Sequence, residues 1–336
     1  MNVTFLDAGD RDGIERYVVA LGLVGSDALP IQIGRAGDGN MNVTLRVTPA
    51  AGASFILKQG RPWVEKYQHI PAPPERTLVE AAFYGAVQGD PLAAKRMPAV
   101  LRVDADNRVL ALEDLGNGGD WTPMYAGAAL PIDTLADLLA WLARLASLDV
   151  RPEERAVFAN RAMRALNHEH MFRFPLAAGN GLDLDGITPG LDGAARDLSG
   201  DRAYVAAVAA LGLGYLADGR TLVHGDYFPG SWLNAPGGVR VIDPEFCFLG
   251  EAEFDCGILA AHLLLADAGA VHLETIAASV AARRLDAARV AGYAGVEIMR
   301  RVIGVAQLPL VCGLDRRRSL LQHSRRLVLE PHKGLA

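Results

Sequence analysis

Cysteine is scarce in this chain, with three in 336 residues, at positions 247, 256 and 312. The number is odd and the spacing gives no metal-type pairing, so these residues read as buried or reduced thiols in a cytoplasmic protein. Long basic runs are missing as well. The 33 basic and 39 acidic residues leave a net charge of −6, and a nucleic-acid partner is not expected. No apolar stretch reaches the ~18 residues of a membrane span. The most apolar one, Cys256 to Ala266, contains His262. The opening Met1 to Asp7 lacks a basic segment followed by an apolar one, so no signal peptide is expected. What the chain does have is apolar mass. Hydrophobic residues make up 51% and charged residues 21%, ample for a sizeable core and unlike a disordered composition. The length allows one large or two modest domains, and there are no internal repeats.

Patterning divides the chain in two. Ile14, Tyr17, Val18 and Leu21 follow helical spacing, with Asp10 or Asp12 available as a cap. Three short β-type runs follow, Pro30 to Ile33, Asn42 to Val47 and Ser54 to Lys58, separated by Gly-rich or Pro-Ala-Gly turns. Arg76 to Val87 reads as a helix, and Ala99 to Val103 and Val109 to Leu112 as two further strands. Gly116-Asn-Gly-Gly119 breaks the composition and is the candidate hinge. Beyond it the chain reads as mainly helical. Leu135, Leu138, Leu139, Leu142 and Leu145 make one apolar face, capped by Asp133 or Thr134. Further helices are expected over 205–216, 256–266, 273–282, 287–305 and 319–329, and a loop over 179–190.

Two β-type runs interrupt the helical region and deliver acidic residues at their ends. The first is Leu222-Val-His-Gly-Asp-Tyr-Phe-Pro-Gly-Ser231 and the second is Val241-Ile-Asp-Pro-Glu-Phe246, with seventeen positions from Asp226 to Asp243. Phosphoryl transfer needs such a pair, one carboxylate to meet the attacking hydroxyl and another to hold the magnesium that bridges nucleotide phosphates. A hairpin-like pairing of the runs would bring both to one cleft edge. Asp226 is therefore the candidate base, against the plainer alternative of a turn cap. Asp243 and Glu245 are the candidate magnesium ligands, since residues i and i+2 of an extended segment face one side. Ser231 would hold the loop or a water near the metal, or simply cap a helix. Gly37, Asp38, Gly39 and Asn40 lie between two strands, where glycines let backbone N–H groups approach phosphates, although Asp-Gly is also a common hairpin turn. Lys58 ends an apolar run, where a lysine could reach inward or stand exposed on the strand, and Glu80 falls on the next helix, where a solvated face is the plainer reading. Asn167-His-Glu-His170 lacks the spacing of a helical zinc site and reads as a helix end near the cleft. Trp63, Trp121, Trp141 and Trp232 read as core or lid residues.

His224-Gly-Asp226 resembles the corresponding loop of the aminoglycoside and choline kinase superfamily, relatives of the protein kinases. Asp243-Pro-Glu245 and Gly230-Ser231 are similar to methylthioribose kinase in particular. Gly37 to Asn42, Ile56 to Gln59, Leu112 to Leu115 and Met299 to Gly304 extend the resemblance in the same order. It implies an α+β, bilobal, protein-kinase-like fold, with a small β-rich N-lobe over 1–115 and a larger, mainly helical C-lobe over 116–336. It also implies ATP and Mg2+. Lys58 resembles the lysine that contacts nucleotide phosphates, which implies Glu80 as its partner, and Glu113 and Leu115 fall where kinases hold adenine through backbone groups. Asp255 resembles an aspartate that braces the loop. Arg300 and Arg301 match a paired arginine that faces the sugar and the transferring phosphoryl group, a place from which a cationic aminoglycoside would be repelled. Tyr227-Phe-Pro229 and the segment 62–75 depart from the methylthioribose kinase pattern. The expected activity is ATP-dependent phosphorylation of the anomeric hydroxyl of 5-methylthioribose. Open beside it stand an enzyme of the same superfamily acting on another sugar, an amino alcohol or an antibiotic, and a nucleotide-binding module without activity. A small-molecule substrate is expected, and a homodimer is left open.

Overall fold

The computed structural model describes residues 3–37 and 41–335. The first helix, α1 (Arg11–Ala20), starts where Asp10 accepts a hydrogen bond from the Gly13 N–H at 2.9 Å, and it buries Ile14 and Val18. Five strands follow its packing face: β1 (Gln32–Arg35), β2 (Val43–Thr48), β3 (Phe55–Gln59), β6 (Val100–Asp104) and β7 (Val109–Glu113). They form one antiparallel sheet in the order β1-β2-β3-β7-β6. Side chains alternate across a strand, and here the alternation serves two cores. Leu45, Val47, Leu57, Val109 and Ala111 pack with Ile14 and Val18 of α1. Leu110 and Leu112 face the other way, onto Phe83, Tyr84 and Val87 of α2 (Arg76–Val87). Lys58 follows Leu57 and pairs with Leu110 in the ladder, so it shares this second face with α2.

The divergent segment 62–75 holds regular structure. Strands β4 (Trp63–Val64) and β5 (Tyr67–Pro71) pair in it as a small antiparallel hairpin. A short helix, α3 (Pro91–Ala94), follows α2.

Gly116 and Gly119 adopt the left-handed backbone region open to glycine, at φ 87° and 73°. Between them, a Cβ on Gly118 would stand 1.5 Å from the Asn234 carbonyl oxygen, so this crossing requires glycine. The Asn234 N–H donates to the Gly119 carbonyl at 2.9 Å, which ties the candidate hinge to the second half.

That half is built from helices α4 (Ile132–Ser147), α5 (Arg161–His168), α6 (Leu184–Ile187), α7 (Leu191–Gly200), α8 (Arg202–Leu216), α9 (Glu253–Leu265), α10 (Ala270–Ala282), α11 (Ala287–Ile303) and α12 (Leu314–Leu329). The Leu135 to Leu145 face of α4 is buried as expected, but neither Asp133 nor Thr134 caps it. Pro131 stands at the cap without a side-chain bond, and Asp133 lies inside the first turn, where a carboxylate favours the helix dipole. Of the region 179–190 read as loop, only the short helix α6 departs from it, and α7 begins directly after it. Helix α11 packs against both α9 and α12, and every residue from Val290 to Ile303 is buried. Among the described residues no helix is long and apolar enough to cross a membrane.

Four short strands carry the acidic motifs, and they do not pair as expected. Strand β8 (Thr221–Val223) pairs with β11 (Phe248–Gly250), while β9 (Trp232–Ala235) pairs with β10 (Gly238–Val241). The two acidic loops therefore lie between two nested ribbons rather than at the ends of one hairpin. The outcome for Asp226 and Asp243 is similar, because each ribbon returns its loop to the same region.

Candidate active site

The loop after β8 is fixed from below. Gly225 has φ 87°, and a Cβ there would lie 2.1 Å from the Phe246 carbonyl oxygen. Asp255, buried in the first turn of α9, accepts from the His224 N–H at 2.6 Å and the Gly225 N–H at 3.0 Å. This is the bracing geometry expected of it. Burial pushes its pKa up to about 6, against those two N–H groups, which favour the carboxylate. The His224 ring is buried, and burial pushes its pKa down to about 4. The neutral ring donates from Nε2 to the Ile242 carbonyl at 2.9 Å and accepts the Asp226 N–H on Nδ1 at 3.4 Å. His224 thus clips the first acidic loop to the residue before Asp243. Tyr227 is anchored on the far side, stacked on Trp141 at 5.5 Å and donating its hydroxyl to the Leu138 carbonyl. Ser231 caps no long helix. Its hydroxyl donates to the Asp226 carbonyl at 3.1 Å, and its own carbonyl accepts the Ile242 N–H at 3.0 Å.

With its neighbours pinned, the partly exposed Asp226 side chain meets the end of α11. Its Oδ1 accepts from Arg300 Nη2 at 3.1 Å and Arg301 Nη2 at 3.2 Å. The two arginines are therefore no helix-end ornament at the surface. Both are buried, and both face the candidate base.

The second loop departs from the extended segment expected. Asp243 sits in the left-handed region at φ 64°, and Pro244 to Phe246 form a single tight helical turn. Residues before proline normally stay extended, and non-glycine residues rarely take positive φ, though Asp is among those that do. Such a conformation is held by its surroundings and is characteristic of functional sites. Its effect is to turn the Asp243 carboxylate outward, 43% exposed, while Glu245 is directed inward. Asp243 Oδ1 accepts from Lys58 Nζ at 2.8 Å. Lys58 is itself buried and lies 2.6 Å from Glu80 Oε2, so the expected lysine–glutamate pair is present. Burial alone would push the ammonium down, but Asp243, Glu80 and Glu245 outweigh it and hold its pKa above the ordinary value. Burial pushes Glu80 up, opposed by Lys58.

Glu245 has partners that sequence reasoning missed. Its Oε2 accepts from Asn42 Nδ2 at 2.7 Å and lies 3.3 Å from Arg76 Nε. Arg76 also donates to the carbonyls of Met41 and Arg61 at 2.6 Å, and to Asn42 Oδ1 at 2.8 Å. One fully buried guanidinium thus joins the β2 edge, the β4–β5 hairpin and the Asp243–Glu245 loop. Asn42 closes the Gly37 to Asn42 motif, and Arg76 shows in the sequence only as a helix start. Their pairing spans 203 positions in the case of Asn42 and Glu245, which no local pattern reports.

Glu113 closes β7 with its N–H donated to the Ala99 carbonyl at 2.9 Å, so its backbone amide is already engaged. Leu115 lies two residues beyond, outside the strand. Gly37 takes φ 76° with open space where a Cβ would project; Asp38, Gly39 and Asn40 lie outside the described residues. His168 ends α5 and stacks on Phe172, and Glu169 and His170 continue into a wider helical turn. Of the tryptophans, Trp141 and Trp232 are core residues. Cys247, Cys256 and Cys312 are free thiols.

The donor set can accommodate a divalent cation. Among the described residues, Asp243 Oδ2 and Glu245 Oε1 have no hydrogen-bond partner, while their sister oxygens are held by Lys58, Asn42 and Arg76. No group of three or more His, Cys, Asp or Glu side chains converges among those residues. Any ion here would take its remaining ligands from phosphate and water, the habit of magnesium rather than of a closed zinc or calcium site.

With this geometry in place, comparison with known proteins is decisive for the fold. Methylthioribose kinase of Pectobacterium carotovorum subsp. carotovorum is 28% identical over 267 residues, covering 76% of this chain and 65% of that protein. Methylthioribose kinase of Pectobacterium atrosepticum is 30% identical over 241 residues, covering 68% of this chain and 58% of that protein. The crystal structure of choline kinase from Cryptosporidium parvum superposes with a TM-score of 0.57 at 11% identity, covering 96% of this chain and 98% of that one. The chain resembles methylthioribose kinases in sequence and choline kinase in fold. The α+β, bilobal, kinase-like fold expected from the sequence is the fold observed. The matched part spans less than two thirds of the two Pectobacterium kinases' own length, 65% of one and 58% of the other. No family model matches the chain.

Proposed function

We propose that the protein is an ATP-dependent small-molecule kinase whose acceptor is the anomeric hydroxyl of 5-methylthioribose. The carrying observation is Asp226, held between its pinned neighbours and ion-paired with both Arg300 and Arg301. In this reading Asp226 orients the acceptor hydroxyl and takes its proton, and Ser231 keeps the loop in register through the Asp226 carbonyl. Lys58 holds a phosphate oxygen from a position that Glu80 fixes. Asp243 and Glu245 hold magnesium, which supplies charge neutralisation on the phosphates when bound. The Gly37-Asp-Gly-Asn40 motif is the candidate phosphate cover, and backbone groups of Glu113 and Leu115 are the candidates to read adenine. Gly116 begins the larger lobe. The sequence likeness supports the sugar. Two buried guanidiniums beside the base support an acceptor that is not cationic, since a positive amine there would meet like charge. The cytoplasm, where ATP is available, is the matching location.

The test is a coupled ATPase assay with magnesium across methylthioribose, other pentoses, choline and kanamycin. Turnover with methylthioribose is expected. Turnover with choline or kanamycin alone would move the protein to the other branch of the superfamily. Arg301→Ala is expected to lower kcat by about 10³-fold, as loss of an arginine acting on a transferring phosphoryl group does. Wild-type turnover in that variant would reduce the pair to a structural feature.

A further inference from the structure

Adjacent residues on a helix project about 100° apart, yet Arg300 and Arg301 deliver the same atom, Nη2, to the same carboxylate oxygen. Something must steer them together. One turn earlier on α11, Glu297 is fully buried and spreads its carboxylate between them. Its Oε2 accepts from Arg300 Nε, and its Oε1 accepts from Arg301 Nε at 2.7 Å. The i, i+3 and i, i+4 spacings put both partners within reach of one side chain. With each Nε turned back onto Glu297, each guanidinium presents its outer edge to Asp226.

Glu297 is itself held. Its Oε1 also accepts from His262 Nε2 on α9 at 3.0 Å, and His262 Nδ1 accepts the Tyr125 hydroxyl at 2.6 Å. One neutral tautomer, Nε2–H, satisfies both bonds. Phe228, two residues after Asp226, lies between the ends of this chain of contacts, 5.6 Å from the His262 ring and 4.8 Å beneath the Arg301 guanidinium. The two carboxylates and two guanidiniums balance in charge, so the cluster needs no further ion to be buried.

We infer that Glu297 is a positioning residue that forces the two arginines to act on Asp226 as a pair, and that His262 and Tyr125 fix its rotamer. The inference rests on the kinase reading of this site but makes a separate claim about its geometry. Neutralising Glu297 would free each guanidinium to rotate, and displacement of catalytic groups by about 1 Å costs on the order of 10²-fold in rate.

The experiment combines kinetics with a structure. Glu297→Gln is expected to lower kcat by about 10²-fold with little change in KM for ATP, and Tyr125→Phe by about 3- to 10-fold. A purely structural role would instead lower stability and leave the kcat of the folded fraction intact. In an Arg300→Ala/Arg301→Ala background, Glu297→Gln should add nothing, because its route to Asp226 is gone; an additive loss would overturn the inference. A crystal structure of Glu297→Gln should show at least one arginine off Asp226 Oδ1. Both arginines remaining there would overturn the inference whatever the activity. If Glu297→Gln does not fold, Tyr125→Phe carries the same test: unchanged kcat and an unchanged Glu297 rotamer would overturn it. If the wild type phosphorylates no acceptor, the functional reading falls, and the arginine geometry in the variant structures still decides the positioning claim.

Discussion

Asp226 offers one carboxylate oxygen to two guanidiniums and leaves the other for a ligand, while its backbone is gripped from both sides. The Asp226 N–H goes to His224 and its carbonyl takes the Ser231 hydroxyl. A residue held this way acts through its carboxylate, so Asp226→Asn should act on chemistry far more than on nucleotide binding. The expected outcome is a fall in kcat of about 10²–10⁴-fold with nucleotide affinity nearly unchanged. Steady-state kinetics beside calorimetric nucleotide titration would check it, and turnover close to wild type would remove Asp226 from the mechanism. At this scale the sequence was informative where chemistry is compact. Asp226, Asp243, Lys58 and the arginine pair each announce themselves within a few residues. It was silent about Arg76, Glu297, His262 and Tyr125. Their meaning comes from partners far along the chain, 137 residues away in the case of Tyr125 and His262, and a lone buried histidine on an apolar helix carries no local signal.

At the scale of elements, periodicity located the five strands of the large sheet and helices α1, α2, α4 and α8 to α12, because one apolar face repeats whatever the tertiary partner; α3, α6 and α7 went unread, and α5 was seen only at its end. Pairing was the harder quantity. The runs ending in Asp226 and Asp243 each found a different partner strand, since β8 and β11 bury Leu222, Val223 and Phe248 together while β9 closes on β10 through a short turn. Likewise, the left-handed Asp243 overrode the alternation that an extended segment would have given. Helices α9 and α11 illustrate a consequence that can be measured. His262, between them, is buried neutral with its pKa pushed down from 6.5 to about 4 by burial. The unfolded chain binds a proton on this ring below about 6.5, and the folded one does not until about 4, so stability must fall as pH drops through that window. The contribution is complete above the unfolded value and is lost on the way down to the folded one. Asp255, pushed up to about 6, works in the opposite direction, so the effect is best read as a difference. Denaturant unfolding of wild type and His262→Gln should show the wild-type advantage shrinking between pH 6.5 and 4, by on the order of 3 kcal/mol at most. A difference that stays constant with pH would mean that the ring is charged or solvated in the folded protein.

For the molecule as a whole, ion pairs join the large sheet and α2 to the helical half. Lys58 on β3 meets Asp243, and Arg76 on α2 meets Glu245. Both acidic partners belong to the loop between β10 and β11, so the β-rich and helical halves are joined at the residues that would hold metal. Nucleotide with magnesium should therefore stabilise the entire fold rather than one loop. A ligand present at 100 times its Kd contributes ~2.7 kcal/mol to stability, enough to raise Tm by a few degrees in a protein of this size. We expect that rise for wild type with MgATP, and a much smaller one with ATP and a chelator. Asp243→Ala should abolish the magnesium-dependent part, because it removes the more exposed of the two carboxylates. Glu245→Gln should reduce it less, because Asn42 and Arg76 still hold the side chain in place. Asp226→Asn should keep the shift, since its partners lie at the end of α11 and not at Lys58. Differential scanning fluorimetry separates these cases. Equal magnesium-dependent shifts in wild type and Asp243→Ala would remove Asp243 from the metal site, and no shift in wild type would remove nucleotide binding from the reading altogether.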